Sequence, residues 1–306
     1  MTHLQTHIDS YLEFCRYQKR LDSKTMKAYL TDLTQFSGQI PPVDAPNITP
    51  AILENFIAGL HQAYKPRTAK RKIASLKAFF HYLEYRELIE KNPFTKLRIK
   101  FREPSTLPKT IPLSTVETFL QVIYRQRRNG KTNHQRKSAL RDAAVIEMLF
   151  STGIRISELC SLNTDDVNTE DGSILINGKG SKERRIQIGN SDVIQLLNEY
   201  KAHFLPEIRQ CGHFFVSMTG KALTDQAVRR MINKYSSLAA IELHITPHMF
   251  RHTFATCLLE ADVDIRYIQK MLGHSSINIT EIYTHVAVSK QKDILATKHP
   301  RKNFHI

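Results

Sequence analysis

Apolar residues recur at helical spacing from the first turns of the chain. Leu4, Ile8, Leu12 and Cys15 fall on one face of a helix. Ser23 is placed to cap a second helix that carries Tyr29, Leu33 and Phe36. Pro41, Pro42 and Pro46 then interrupt the pattern. Thr49-Pro50 supplies a cap and a first helical residue for a third helix with Leu53, Phe56 and Leu60. Pro66 starts a fourth, whose apolar stripe is Ile73, Leu76, Phe80 and Leu83. Residues 1–91 therefore read as an all-helical domain.

Residues 92–112 contain Pro93, Pro104, Pro108 and Pro112. Proline resists helix and favours extended chain, so this stretch reads as an interdomain linker. A second domain is expected over 113–287. Leu113 to Ile123 is helical in pattern, Arg125 to Lys137 reads as a polar basic loop, and Ala139 to Phe150 is a strongly apolar helix. Ile154 to Leu162 follows as a short helix. Ser173 to Asn177 and Arg184 to Ile188 flank Gly178-Lys179-Gly180-Ser181, an alternating pattern around a glycine-rich turn that predicts a β-hairpin. A short strand is expected at His213 to Ser217, and the rest is helical. The fold class is mainly α, with a small antiparallel β-sheet or hairpin in the C-terminal domain. A tail at 288–306 carries Ile294, Leu295 and Phe304 as apolar anchors.

The length of 306 residues suits two domains with a core each. Lys plus Arg number 44 against 29 acids, a net charge of +15 that favours a polyanionic partner. Cys15, Cys160, Cys211 and Cys257 form no C-x-x-C pair, which predicts reduced thiols, with Cys160 and Cys257 in apolar helical patterns as core residues. The N-terminal residues lack a basic-then-apolar leader pattern, and no stretch approaches the ~18 apolar residues of a membrane span. A cytoplasmic, nucleoid-associated protein without a membrane partner is expected.

The basic residues cluster. Lys65, Arg67, Lys70, Arg71, Lys72 and Lys77 lie on the fourth helix with no acid among them, which predicts a DNA-facing helix over a merely solvated face. Lys96, Arg98, Lys100 and Arg102 make the linker basic enough to track a phosphate backbone. The stretch 125–137 adds six further Lys or Arg, either as a mobile surface loop or as a DNA contact.

The candidate chemistry lies near the C-terminus. His248 and Arg251 are three apart on a helix beginning at Pro247 and so share a face. An arginine forks onto two phosphate oxygens at any working pH, and a histidine exchanges protons near neutrality. Tyr283 offers a phenol that could attack phosphorus, given a base or a cationic surround to offset its pKa of ~10. His248, His252 and His274 admit a metal reading. No H-E-x-x-H accompanies them, and arginine among the ligands would repel a cation, so no metal and no cofactor is expected.

The stretches STGIRISEL, INGKGSKERRIQIG, TPHMFRHTFAT and IQKMLGHSSINITEIYTHV resemble the tyrosine recombinase, or phage integrase, family, and are most like its Xer-type members. The likeness covers about 110–290, and the four N-terminal helices match the family's SAM-like core-binding domain more loosely. The resemblance implies two domains forming a C-shaped clamp on DNA. It makes Arg155, Lys179, His248, Arg251 and His274 catalytic and Tyr283 the nucleophile, with Glu158 a supporting acid behind Arg155; Lys182 is the runner-up to Lys179. It implies cleavage and rejoining of DNA through a 3′-phosphotyrosyl link without metal or ATP. It also implies double-stranded DNA with a specific core site as partner, a homotetramer or a heterotetramer with a paralogue on that DNA, docking of 288–306 on a neighbouring subunit, and room for an accessory protein. Two rivals stand beside it: a non-catalytic DNA-binding protein, and single-duplex relaxation of the type IB topoisomerase kind. The segment 125–137 looks longer than Xer-type chains have there, which favours mobile-element integration or excision slightly over chromosome or plasmid dimer resolution.

Overall fold

The computed structural model describes residues 3–99, 109–178 and 183–273. The chain divides into two compact units, residues 1–106 and 107–306. Four helices make up the described part of the first: α1 (His3–Tyr17), α2 (Ser23–Gln39), α3 (Pro50–Ala63) and α4 (Pro66–Tyr85). A 3-10 turn at Pro93–Lys96 follows, and its Phe94 closes the same core. The predicted stripes are the buried faces: Leu4, Ile8 and Cys15, then Leu33 and Phe36, then Leu53, Phe56 and Leu60, then Ile73, Leu76, Phe80 and Leu83. Thr49 caps α3, its hydroxyl accepting from the Ile52 amide, and Pro50 and Pro66 each open a helix as expected. The cap of α2 is Asp22 rather than Ser23; its carboxylate accepts from the Thr25 amide at 2.9 Å.

Inside this unit the basic helix departs from expectation. Asp32 of α2 is 2% exposed and receives three groups from α4. Lys72 Nζ donates to Asp32 Oδ1 at 3.0 Å, Ser75 Oγ donates to Oδ2 at 2.8 Å, and the Arg71 guanidinium pairs with Oδ2 as well. Lys72 also donates to Gln35 Oε1 at 2.6 Å and stands 4.9 Å from the centre of the Tyr64 ring. Lys72 is therefore buried and is not a DNA-facing residue, and Arg71 is half neutralised from behind. The run from Lys65 to Lys77 contains no acid, but the fold brings one from α2. Lys65, Arg67, Lys70 and Lys77 remain exposed, and Lys100 and Arg102 lie outside the described residues.

The second unit is built on α6 (Asn133–Thr152), whose Ala143, Ala144, Val145, Ile146, Met148 and Leu149 are all buried. Around it stand α5 (Leu113–Asn129), α7 (Ile156–Ser161), α8 (Ser191–His203), α9 (Leu205–Cys211), α10 (Asp225–Leu238), α11 (Pro247–Glu260) and α12 (Ile265–Leu272). The sheet has β1 (Val167–Asn168), β2 (Ser173–Asn177) and β3 (Glu183–Gln187) in that order, antiparallel, with Ile174 opposite Ile186 and Asn177 opposite Glu183. The hairpin is thus as predicted, with one short strand added. The strand expected at His213–Ser217 is reduced to single bridges, Asn163 to His213 and Val216 to Ala222.

The basic segment 125–137 is not a loop. It is the last turns of α5, a three-residue connection, and the start of α6, where Thr132 and Gln135 form a reciprocal capping box. Arg127 pairs with Glu199 and Lys137 with Glu207, 2.5 Å apart in the second case, so part of its charge is spent inside the unit. Cys160 and Cys257 are half-buried rather than core, and Cys15 is the fully buried thiol. At the entry to this unit the Ile111 amide donates to Thr253 Oγ1 of α11 at 2.8 Å, and the Ile111 side chain is buried in the second core.

Removal of Asp32 would leave the Lys72 ammonium buried without its counter-charge. Asp32→Ala is expected to lower stability by about 3–5 kcal/mol, read by urea denaturation of the full chain. A loss below about 1 kcal/mol, the range of an exposed pair, would contradict the role given to this cluster.

Candidate active site

The site begins where α6 stops. Gly153 ends that helix with a φ of +62°, a conformation open to glycine. A Cβ there would stand 2.5 Å from Phe254 Cδ1, so the position excludes any side chain as well. Two residues on, Arg155 precedes α7. Its amide donates to Glu158 Oε2 at 2.8 Å, and its Nη1 donates to Glu158 Oε1 at 2.7 Å. The acid predicted behind Arg155 is therefore in direct contact with it, and the contact fixes both the first turn of α7 and the guanidinium. The Arg155 side chain stays 34% exposed, whereas that of Glu158 is 7% exposed.

A second arginine reaches the same carboxylate from β3. Arg184 Nη1 and Nη2 donate to Glu158 Oε1 and Oε2 at 3.0 and 2.7 Å, and its Nε donates to the Met271 carbonyl at 2.9 Å. Burial of Glu158 acts to raise its pKa, but the hydrogen bonds from Arg184 and Arg155 prevail and hold it down at about 2. Sequence reasoning missed Arg184. The hairpin pattern showed that the residue lies on β3, but not that its side chain crosses to α7 and α12.

Arg251 of α11 is 4% exposed. Its Nη1 donates to the Gly153 carbonyl at 2.8 Å and its Nη2 to the Leu272 carbonyl at 2.7 Å. It therefore joins the turn that leads into Arg155 to the end of α12. His248 lies in the first turn of α11 and is exposed. The pKa of His252, next to Arg251, is lowered by burial and by His248 and Arg251. Among the described residues no group of three or more His, Cys, Asp or Glu is placed to hold a metal ion.

A cavity of about 1570 Å³ opens in front of Arg155. Its lining is predominantly basic, with Arg155, Arg184, Arg185, Arg266 and Lys270 against Glu158 and Glu183. Lys179, His274 and Tyr283 lie outside the described residues. Gly178 and Gly273, which directly precede Lys179 and His274 in the chain, both line this cavity. Of the six predicted catalytic residues, the fold thus links Arg155 and Arg251 through the Gly153 turn and places His248 on the same helix as Arg251.

Known proteins match this chain over its whole length. The phage integrase family matches residues 121–290, and the N-terminal SAM-like domain of phage integrases matches residues 8–87. The first match alone spans more than half of the chain. The chain belongs to the phage integrase family and is a tyrosine site-specific recombinase. A tyrosine recombinase of Agathobacter rectalis is 67% identical over 305 residues, covering 100% of both chains. Tyrosine recombinase XerD of Listeria innocua serovar 6a is 33% identical, covering 96% of this chain and 98% of its own. The fold is similar to that of XerH site-specific recombinase crystallised with palindromic difH substrate in a post-cleavage complex. That likeness has a TM-score of 0.74 at 23% identity, over 95% of this chain and 83% of the other. The non-catalytic and topoisomerase readings are not favoured.

Glu158 titrates far below its ordinary 4.5 in the folded protein. A depressed carboxylate stabilises the fold above its unfolded pKa, and that contribution fades as pH falls toward the folded value. The stability difference between the parent and Glu158→Gln is therefore expected to be largest near neutral pH and to shrink between about pH 4.5 and pH 2. Denaturant titrations across that range read it directly. A difference independent of pH would contradict the charge-based account.

Proposed function

We propose that this recombinase cuts and rejoins double-stranded DNA through a covalent link to Tyr283. The phenolic oxygen of Tyr283 attacks the scissile phosphorus in line and gives its proton to His248 acting as general base. A Tyr–O–P bond forms, and the bond from phosphorus to the 5′-oxygen breaks. That oxygen leaves as a hydroxyl, taking a proton from Lys179. The 3′-phosphotyrosyl ester conserves the phosphoester bond energy, so rejoining by a 5′-hydroxyl of a second duplex needs neither ATP nor metal. Arg155 and His274 bind the nonbridging oxygens as charge develops on them, His248 assists proton transfer, and Arg251, buried with Nη1 and Nη2 on the Gly153 and Leu272 carbonyls, joins them when those carbonyls are released.

The observation that carries this reading is the basic cavity in front of Arg155. That guanidinium is partly exposed there, held in place from behind, and the chain enters the cavity wall immediately before Lys179 and before His274. The exposed residues Lys65, Arg67, Lys70 and Lys77 of α4, together with Lys100 and Arg102, supply phosphate contacts on the duplex. Strand exchange between two duplexes uses four active sites, so the acting species is a tetramer on a specific core site, joined through residues 288–306.

The test is covalent trapping. Protein is mixed with nicked suicide substrates drawn from the DNA flanking its own gene and run on a denaturing gel. A DNA-linked band is expected for the parent chain, with and without EDTA, and none for Tyr283→Phe. An adduct that persists in Tyr283→Phe, or one abolished by EDTA, would contradict the proposed chemistry.

A further inference from the structure

Arg184 is absent from the residues that the motifs single out, yet its guanidinium joins three elements of the site. All three of its nitrogens are engaged within the protein: two on the Glu158 carboxylate, and Nε on the carbonyl of Met271 at the end of α12. Its side chain is 10% exposed, so it offers little surface to DNA. The surroundings are shaped to it. Gly273 ends α12 with a φ of +65°, and a Cβ there would stand 2.9 Å from Arg184 Nη1 and 3.0 Å from its Cδ.

The arrangement places one negative charge between two positive ones. Arg155 and Arg184 share Glu158, and one positive charge is left over on the side of the cavity. Without Arg184, Glu158 and Arg155 would close into a neutral pair. An incoming phosphate would then have to displace a carboxylate from the guanidinium it needs. A planar guanidinium holds both carboxylate oxygens through two parallel N–H donors, a geometry that an ammonium lacks.

We propose that Arg184 is a positioning residue for strand cleavage. It occupies the Glu158 carboxylate so that the charge of Arg155 stays available to the scissile phosphate, and it fixes the end of α12 from which the chain runs on to His274 and Tyr283. The proposal rests on the cleavage reading above. It differs from a purely structural role in one consequence: the harm done by losing Arg184 flows through the charge of Glu158, so neutralising Glu158 relieves it.

The test compares the parent chain, Arg184→Gln and Arg184→Lys, each with and without Glu158→Gln. Covalent-adduct rates on the suicide substrate are measured beside gel-shift affinity and melting temperature. Both single Arg184 variants are expected to bind DNA as the parent does and to cleave it more slowly, on the order of 100-fold for Arg184→Gln. Adding Glu158→Gln is expected to restore about tenfold of that loss, a change of about 1.4 kcal/mol in the barrier. Arg184→Lys keeps the charge and carries the same comparison should the glutamine variant melt early. Unslowed cleavage in the Arg184 variants, or no recovery on adding Glu158→Gln, overturns the proposal while leaving the cleavage reading in place. Failure of the parent chain to form any adduct overturns the cleavage reading, and the proposal with it.

Discussion

An α-helix ends in carbonyls that have no partner within the helix, and α12 ends where the chain must be placed most carefully. Two consecutive carbonyls there, those of Met271 and Leu272, are held by two arginines from different parts of the fold, Arg184 of β3 and Arg251 of α11. Cations at a helix C-terminus also meet the negative end of its dipole. Each arginine then binds a second element. Arg251 holds the Gly153 carbonyl at the end of α6, and Arg184 holds Glu158 at the start of α7. Strand, turn and helix end are thereby tied into one unit around the Arg155 guanidinium. Burying so much positive charge is tolerable because both guanidiniums donate to protein oxygens and Glu158 supplies a counter-charge.

The same logic separates two populations of basic residues. Lys72, Arg127, Lys137 and Arg184 are paired inside their units, with Asp32, Glu199, Glu207 and Glu158. They add to the net charge of +15, but they shape the fold before they shape the surface. Packing leaves other basic side chains exposed, such as Lys65, Arg67, Lys70 and Lys77 at and along α4, and Arg185, Arg266 and Lys270 around the cavity. Net charge indicates the kind of partner, whereas burial decides which side chains can reach it.

Much of this was legible in the sequence, wherever the signal is local. The Thr49-Pro50 start, the apolar stripes of the first four helices and the pairing of the two strands β2 and β3 follow from local spacing, and the structure contains them. The family assignment was legible in the stretches that carry Arg155, His248 and Arg251. The misses that bear on the site and on charge come mainly from contacts between elements. The charge run on α4 gave no sign of Asp32, which lies forty residues upstream of Lys72 and meets it only in the fold. The stretch 125–137 was read as loop from its polarity, although helices tolerate polar faces and the Thr132–Gln135 capping box was present as a local signal. Arg184 was placed on its strand correctly, but its importance comes from α7 and α12, which no pattern along β3 reveals.

The account stands or falls on which atom of the protein becomes joined to DNA. The most direct measurement is to isolate the covalent adduct formed on an end-labelled core site, digest both components, and identify the modified peptide by mass spectrometry. The account predicts a nucleotide attached through its 3′-phosphate to the tyrosine of the peptide containing Ile282-Tyr283-Thr284, with a free 5′-hydroxyl on the released strand. Attachment through a 5′-phosphate, or to any residue other than Tyr283, would contradict it.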